Sequence, residues 1–365
     1  MDLNNLENAT FEDISFAPME GVTGPIFRKI HKEHFSGVDR YFTPFLAANQ
    51  NHHFKRRETR EYLPYDPHLV PQILTSSPED FIWAAKTLKE AGYKEVNLNI
   101  GCPMATVVTK KKGAGLLLNP SYLNSFFEKV FEETDMPDIS IKTRLGFSEP
   151  EEAKNLGKLF SNYPFSEVII HARVREDFYT NPVNYEAFGE MADLLSCPVC
   201  YNGDIRTVED AIKLKERFPK IKRIMIGRGL LANPALAGKI REYEKSCSNG
   251  TSSETLQNSS PEASPNASLG TSQSNPINTP QRTDHMQDPQ CPQEQPSKEE
   301  LRAYLDDLWR NYSEELSGER DILFKMKELW FHLGVNYPEH KKALETIRKC
   351  KTSDEYHRAV KEILF

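Results

Sequence analysis

The stretch PEDFIWAAKTLKEAGYKEVNLNIGCP, residues 78–103, contains one complete repeat of the structure that we predict for this chain. Its first half spaces apolar residues as one face of a helix does, and EVNLNI (Glu95–Ile100) is a short run suited to a buried strand. The run ends in a polar turn, Gly101-Cys102-Pro103. A helix that leads into a buried strand is typical of α/β proteins.

Seven further β-rich runs flank this repeat, and helical candidates separate most of them. The runs are Ile14–Met19, Arg40–Phe45, Leu69–Leu74, Asp138–Thr143, Glu167–Ala172, Pro198–Asp204 and Lys222–Gly229. Eight strand–helix units in about 230 residues predict a (β/α)₈ TIM barrel. A doubly wound sheet is the alternative, but such a sheet rarely repeats so evenly.

The segment from Ser246 to Ser297 has a different composition from the rest of the chain. It is rich in Ser, Asn, Gln, Thr and Pro and contains no Phe, Tyr or Trp. Such a segment buries too little apolar area to offset the entropy of ordering it, so we predict a disordered insertion at 246–297. It separates a barrel domain, 1–245, from a tail, 298–365, whose apolar residues have helical spacing and predict a small all-helical domain.

Charge and cysteine content restrict the class of protein. The net charge of −7 argues against nucleic-acid binding through bulk positive charge, although a local basic patch is compatible with it. The six cysteines are scattered, as in proteins of a reducing compartment. No apolar run approaches the roughly 20 residues of a membrane helix. We therefore expect a cytoplasmic protein, monomeric, with no membrane partner and no metal site.

Polar residues stand at six successive strand ends, where a TIM barrel carries its catalytic groups. They are Gln72, Asn99 with Cys102, Lys142 with Arg144, His171 with Arg173, Asn202-Gly203-Asp204, and Gly227-Arg228-Gly229. One polar strand end is ordinary, but six in succession predict a single shared site. The last two groups follow strands seven and eight, where TIM barrels often bind phosphate. Either glycine turn alone is compatible with a simple tight turn; the pair predicts an anion site.

Cys102 has two possible roles. Most cysteines are small buried hydrophobic residues, whereas a thiol in a turn just past a strand end is placed for reactivity, and spacing alone does not decide between them. Cys197 and Cys200 form a CxxC without a second pair, for which packing is the better interpretation than zinc binding. Basic clusters at 52–60 and 110–112 are either solvated loops or part of a polyanion track.

Taken together, these motifs resemble the tRNA-dihydrouridine synthase (Dus) family in its bacterial form. The matching residues are APMEGVT (17–23) with Phe27-Arg28, NLNIGCP (97–103), KGAGLLL (112–118), KTRLG (142–146), HAR (171–173), NGD (202–204) and GRG (227–229). The resemblance covers about Ile14 to Leu236, and the tail, with KELW (327–330), looks like the family's tRNA-binding domain. The cysteine motif is specific, whereas glycine turns occur in many flavin barrels. The polar insertion and the Asn49–His53 loop depart from the family pattern.

The resemblance implies FMN as cofactor, NADPH as reductant and tRNA as partner. Pro18, Met19 and Glu20 would border the flavin, Gln72 would bind its edge, and Lys142 and His171 would contact its ring. The residues that would hold its phosphate are Asn202, Gly203, Asp204, Gly227 and Arg228. The residues that would bind the substrate are Asn99, Arg144, Arg173, Lys110, Lys111 and Lys112.

The reaction implied by the resemblance is reduction of uridine to 5,6-dihydrouridine in the tRNA D-loop. Flavin N5 would give hydride to C6 of the uracil, and Cys102 would give a proton to C5 as a general acid. The motifs look closest to the subgroup that acts on position 16. Two alternatives stay open: another FMN barrel that reduces a small molecule, and a non-catalytic tRNA-binding protein on an enzyme scaffold.

Overall fold

A computed structural model describes residues 10–250 and 295–365, and its centre is a curled sheet of ten parallel strands. The strands are β1 (Asp13–Phe16), β2 (Arg40–Phe42), β3 (Leu46–Ala47), β4 (Leu69–Val70), β5 (Gln72–Leu74), β6 (Glu95–Asn99), β7 (Asp138–Arg144), β8 (Glu167–His171), β9 (Val199–Asn202) and β10 (Arg223–Ile226). They are hydrogen-bonded in the order β3-β5-β6-β7-β8-β9-β10-β1-β2-β4.

Pro71 joins β4, at one end of this order, to β5, which lies next to β3 at the other end. β4 pairs with β2 and β5 pairs with β6, yet β4 and β5 are separated in the chain only by Pro71. Proline has no backbone N–H, so it interrupts the predicted strand Leu69–Leu74, while its carbonyl still accepts the amide of Asn97 at 2.9 Å. The sheet therefore closes, and the predicted TIM barrel is confirmed.

Helices follow most of the strands and cover the outside of the barrel. They are α1 (Pro25–His34), α2 (Arg56–Tyr62), α3 (Pro78–Glu90), α4 (Ala105–Val108), α5 (Pro120–Glu133), α6 (Glu152–Phe160), α7 (Tyr185–Asp193), α8 (Val208–Arg217), α9 (Arg228–Ala232) and α10 (Leu236–Gly250), with a 3₁₀ helix at Gly113–Leu118. Several begin at side-chain caps: Ser77 accepts the amide of Asp80 at the start of α3, and Thr207 that of Asp210 at the start of α8.

The interior of the barrel has three chemically distinct layers, because alternate residues of every strand face inward. Charged residues fill the amino end, namely Asp13, Arg40, Glu95, Glu167 and Arg223, which form mutual ion pairs. An apolar cluster follows, made of Ala17, Phe42, Val70, Ile169, Cys200 and Met225. Polar side chains occupy the carboxyl end. Burial of Cys200 in the apolar layer agrees with the packing role expected for it.

The tail consists of α11 (Lys298–Glu315), α12 (Glu319–Leu333), α13 (Lys341–Lys349) and α14 (Ser353–Leu364), with 3₁₀ turns at Gly334–Asn336 and Pro338–His340. It packs against the barrel domain: His34 pairs with Asp307 at 2.8 Å, and Asn336 donates to the carbonyl of Ala232 at 2.7 Å. α10 continues to Gly250, beyond the predicted boundary at residue 245. Most of the predicted insertion, residues 251–294, lies outside the described residues.

Candidate active site

The predicted site residues gather at the carboxyl edge of the barrel, because their strands are in register there. Asn99 lies opposite Lys142 on β7, and Arg144 lies opposite His171, which in turn lies opposite Asn202. Residues far apart in the chain thus become cross-strand neighbours. The six polar strand ends form one continuous edge.

The loop that carries Cys102 is held from two sides. The side-chain oxygen of Asn99 accepts the amides of Gly101 at 3.1 Å and Cys102 at 2.9 Å. From the other side, the carbonyl of Cys102 accepts the amide of Ala114 at 3.0 Å. Gly113 has φ +57°, and a Cβ there would lie 2.9 Å from the Cys102 carbonyl oxygen. The glycines of the 113–115 motif therefore let this segment pack directly on the cysteine loop.

The thiol of Cys102 is partly buried, and burial raises its pKa above the ordinary value, although the charges of Arg144 and Lys142 oppose the shift. The thiol is therefore protonated at neutral pH. A protonated thiol can donate a proton but is a poor nucleophile. The acid role expected for Cys102 stays a prediction, and a protonated thiol is compatible with it.

Lys142 lies beside the cysteine loop and is anchored by Asn202. Its ammonium group donates to the side-chain oxygen of Asn202 at 2.8 Å, and the Asn202 amide nitrogen donates to the carbonyl of Met225 at 2.8 Å. Burial, together with the charge of Arg144, lowers the pKa of Lys142 to about 8. The Asn202 side chain therefore orients Lys142, and its predicted part in holding the phosphate stays a prediction.

His171 is buried, and its hydrogen bonding indicates a neutral ring. Burial, reinforced by the charges of Arg144 and Lys142, lowers the pKa of His171 well below its ordinary value. A guanidinium nitrogen of Arg173 lies 3.2 Å from Nε2 of the ring. Since a guanidinium can only donate, Nε2 is the acceptor and the proton is on Nδ1.

Arg144 and Arg173 lie behind the site rather than in its mouth, each only 1% exposed. Arg144 donates to the carbonyls of Gly101 (3.0 Å), Val174 (2.7 Å) and Phe178 (2.9 Å). Arg173 donates to the carbonyl of Asn181 at 2.6 Å and forms an ion pair with Asp204. Both arginines thus fix the loops around Cys102 and after β8, and their predicted contact with substrate stays a prediction.

The two glycine turns after β9 and β10 lie side by side, joined through Asp204. Its carboxylate accepts Arg228 at 2.6 Å in addition to Arg173. Burial alone would raise the pKa of Asp204, but Arg173 and Arg228 lower it below its ordinary value. Asp204 therefore holds two arginines at this edge, and its carboxylate is not itself a group that would bind an anion.

Backbone donors are available at the same edge. The first bond within α9 runs from the amide of Leu231 to the carbonyl of Gly227, so the amides of residues 228–230 have no acceptor within the helix. Gly229 allows the close packing that this requires, because a Cβ there would lie 2.1 Å from the carbonyl oxygen of Ile205. The turn can thus present several N–H groups and Arg228 to an anion.

The turn after β1 borders this edge. A Cβ on Gly227 would lie 3.5 Å from the sulfur of Met19, which places Met19 beside the anion turn. Pro18 is partly buried next to it, whereas Glu20 is exposed and pairs with Arg57 at 2.9 Å. Lys110 and Lys111 are exposed after the cysteine loop, and Lys112 donates to the carbonyl of Ala48 at 3.2 Å.

Sequence reasoning missed an aromatic residue at the mouth. The ring of Tyr179, in the loop after β8, lies 5.4 Å from the guanidinium carbon of Arg144 and 4.8 Å from that of Arg228. It is 45% exposed and its neighbour Phe178 has φ +49°. The sequence signal was an aromatic pair in a loop at the catalytic end of the barrel.

Gln72, another predicted site residue, is 1% exposed and lies beneath the cysteine loop.

Two other features are absent from the part of the chain that the structure describes. Residues 10–250 and 295–365 contain no group of three or more His, Cys, Asp and Glu side chains arranged to bind a metal. In the same residues, no helix has both the length and the apolar character needed to cross a membrane.

Comparison with known proteins identifies the family. The dihydrouridine synthase (Dus) family model matches residues 15–327. A tRNA-dihydrouridine(16) synthase of Pseudomonas syringae is 30% identical over 242 residues, which cover 64% of this chain and 75% of that protein. A probable tRNA-dihydrouridine synthase of Staphylococcus aureus is 31% identical over 249 residues, covering 66% and 73%. Among solved structures, the chain is similar to histamine dehydrogenase from a Rhizobium species, with a TM-score of 0.48 and 14% identity, covering 63% of this chain and 46% of that one. Because the family model matches most of its length, the chain belongs to the dihydrouridine synthase family.

Proposed function

We propose that this protein is an FMN-dependent tRNA-dihydrouridine synthase that reduces a D-loop uridine of tRNA, with NADPH as the reductant. The observation that carries the proposal is the thiol of Cys102, which burial keeps protonated on a loop anchored by Asn99. It lies at the same barrel edge as a cationic lysine and an anion turn. An acid, a cation and an anion site on one edge support flavin-dependent reduction better than hydrolysis or metal chemistry.

The residues at this edge fit a flavin mononucleotide. The amides of residues 228–230, which precede the first hydrogen bond within α9, and the guanidinium of Arg228 would hold its phosphate, and Asp204 would keep that guanidinium in place. Lys142 would put positive charge beside the ring, and His171 would offer its Nδ1 proton as a donor. Gln72, Pro18, Met19 and Glu20 would border the ring. When bound, the flavin supplies the hydride that uracil C6 receives.

Cys102 supplies the proton that completes the reduction. Its S–H bond breaks as a C–H bond forms at C5, and the thiolate is stabilised by the charges of Arg144 and Lys142. Asn99 holds the loop amide of Cys102 so that the sulfur keeps its position through this transfer. The second N–H of the Asn99 amide is the group that would donate to the uracil.

A uridine in folded tRNA must leave its stack to reach this edge. Lys110, Lys111 and the helical tail, which packs beside α9, would hold the RNA through its phosphates and shape. Position 16 is our choice of target, because the P. syringae relative is named for that position. A cytoplasmic location fits a tRNA substrate.

The test is to incubate the purified protein with FMN, NADPH and tRNA from a strain that lacks dihydrouridine, and to map the product by mass spectrometry. We expect dihydrouridine at position 16. Cys102→Ala should bind FMN normally but lose at least about 100-fold in rate, as expected when a general acid is removed.

A matched control is Cys197→Ala, since Cys197 is also a partly buried free cysteine but lies before β9, at the opposite end of the barrel. It should keep full activity. Full activity of Cys102→Ala on tRNA would refute the acid assignment. Turnover of a small enone without any product in tRNA would instead support the small-molecule alternative.

A further inference from the structure

A chain of side-chain hydrogen bonds runs through the barrel interior from its charged end to the loop of Cys102. The links are Ser140 Oγ to Glu95 Oε1 (2.6 Å), Asn97 Nδ2 to Ser140 Oγ (3.0 Å), Gln72 Nε2 to Asn97 Oδ1 (2.8 Å), Asn99 Nδ2 to Gln72 Oε1 (2.8 Å) and the amide of Cys102 to Asn99 Oδ1 (2.9 Å). In each link the first-named atom donates. This chain of hydrogen bonds thus joins the carboxylate of Glu95, at one end of the barrel, to the loop of Cys102 at the other.

The direction of the chain is fixed independently from each end. The backbone amide of Cys102 can only donate, so Asn99 must turn its oxygen to the loop and its NH₂ to Gln72. The same requirement then passes through the next two side chains. At the other end the Glu95 carboxylate, which forms an ion pair with Arg40, can only accept, so Ser140 must donate to it and accept from Asn97. Both ends demand the same orientation of all three amides.

The links leave little room for an alternative arrangement. Asn97 and Ser140 are fully buried, and Gln72 is 1% exposed. If one amide turned over, two donors or two acceptors would face each other without water to satisfy them, which is costly in a buried site. The orientation of the Asn99 amide therefore depends on groups that lie two and three side chains away from it.

A packing requirement does not explain these polar residues. TIM-barrel interiors are usually filled by branched apolar side chains, and this barrel has such a cluster around Phe42, Ile169 and Met225. The polar chain instead occupies β5, β6 and β7, directly beneath the cysteine loop. A buried polar chain that ends on one functional loop favours a role in setting the geometry of that loop.

We propose that Ser140 and Asn97, with Glu95 behind them, are positioning residues for uridine reduction. They fix the Asn99 amide, which holds the Cys102 loop with its oxygen and directs its remaining N–H toward the substrate. The inference rests on the proposed function and adds residues that touch neither substrate nor flavin.

The experiment compares Ser140→Ala and Asn97→Asp with a matched control, Ser166→Ala. Ser166 also has a buried hydroxyl, which makes no hydrogen bond within the described residues, and it lies just before β8 outside the chain of links. Ser140→Ala removes one link, and Asn97→Asp keeps the size of the side chain but replaces the NH₂ donor with an oxygen that, in the ionised carboxylate, cannot donate to Ser140. All variants are assayed as the flavin-loaded full-length protein.

Two measurements are made on each variant. The first is kcat and KM for tRNA. In Ser140→Ala and Asn97→Asp we expect kcat to fall on the order of 10-fold and KM to stay unchanged. Misplacement of a catalytic group can cause a loss of this size. The second is the pH dependence of alkylation of Cys102 by iodoacetamide, followed on its own peptide by mass spectrometry. A loosened loop exposes the thiol, so alkylation should become severalfold faster and the apparent pKa of the thiol should fall. Ser166→Ala should match the wild type in both.

The outcomes are separable. Wild-type kcat and wild-type alkylation in both chain variants would overturn the proposal, and so would equal losses in Ser166→Ala, which would point to general destabilisation. If one variant fails to fold, the other still decides. If the wild-type protein makes no dihydrouridine, the proposed function fails, while the alkylation comparison still tests whether the chain positions the Cys102 loop.

Discussion

Lys142 donates a 2.8 Å hydrogen bond to the side-chain oxygen of Asn202, at a place where burial and the charge of Arg144 lower the pKa of the lysine to about 8. The fold thus holds the charged Lys142 side chain in a buried position, where burial disfavours its charged form. Asn202 can supply a partner but no charge, so it orients the ammonium group without restoring the pKa. Because no anion among the described residues neutralises it, the ammonium group can pair with an anionic ligand. For the same reason the buried charge lowers the stability of the ligand-free protein.

The first prediction is that Lys142→Met stabilises the flavin-free protein at pH 7 while abolishing activity. The pKa of Lys142 is about 8 in the fold and 10.5 as the ordinary value, so the unfolded state binds more protons between these values. The penalty is fully present below pH 8 and is relieved as the pH rises toward 10.5. We expect a gain on the order of 2 kcal/mol in the free energy of unfolding at pH 7, measured by urea denaturation.

The pH dependence provides the check on this prediction. Wild-type stability relative to Lys142→Met should rise between pH 8 and 10, and the difference between the two proteins should shrink. Lys94→Met, which changes an exposed lysine just before β6, should leave the stability unchanged. A Lys142→Met protein less stable than wild type at pH 7 would show that the hydrogen bond to Asn202 outweighs the cost of the buried charge.

The second prediction is that Arg144→Lys is strongly disruptive, although it keeps the charge. Arg144 uses its three nitrogens on the carbonyls of Gly101, Val174 and Phe178, and one ammonium group cannot reach all of them. Loss of these buried bonds should lower the free energy of unfolding by about 3 kcal/mol. The measurement is urea denaturation, combined with limited proteolysis of the loop after β8. If stability is unchanged and only KM for tRNA rises, Arg144 contacts the substrate, as the sequence had suggested.

The sequence was sufficient for the barrel and for the edge where its polar residues meet. Strand-length β-rich runs and polar strand ends depend on local pattern, which the chain shows directly. The hydrogen-bond partners of long polar side chains do not depend on local pattern, so the sequence does not show them. Arg173 ends on the carbonyl of Asn181 and Asn202 ends on Lys142, contacts that exist only once the strands are in register. Pro71 splits a predicted strand, yet the break is where the barrel closes, because each half pairs with a different neighbour.

The third prediction concerns the anion turn. In Gly229→Ala the new methyl group would lie 2.1 Å from the backbone oxygen of Ile205, and a backbone atom in the turn after β9 cannot simply rotate away. The turn after β10 must shift, and the amides of residues 228–230 move with it. We expect FMN affinity, measured by fluorescence titration, to fall by at least about 10-fold, which corresponds to 1.4 kcal/mol.

The control for the turn is Gly318→Ala, because a Cβ there would meet nothing within 4 Å. It should leave FMN affinity unchanged. Normal FMN affinity in Gly229→Ala would mean that the phosphate is held elsewhere on the barrel.

The last prediction compares two buried tyrosines that differ in one hydrogen bond. Tyr304 packs in an aromatic cluster between the tail and α1, and within the described residues its hydroxyl is buried without a partner. Tyr93 is also buried, but its hydroxyl donates to the carbonyl of Tyr62 at 2.6 Å. Removing an unsatisfied hydroxyl relieves a desolvation cost, whereas removing a bonded one leaves a carbonyl unpaired. Tyr304→Phe should therefore raise the free energy of unfolding by about 1 kcal/mol and Tyr93→Phe should lower it by about the same amount. Thermal denaturation of both variants at equal protein concentration tests the pair. Destabilisation by Tyr304→Phe would mean that its hydroxyl has a partner in solution, such as a bound water between the tail and the barrel.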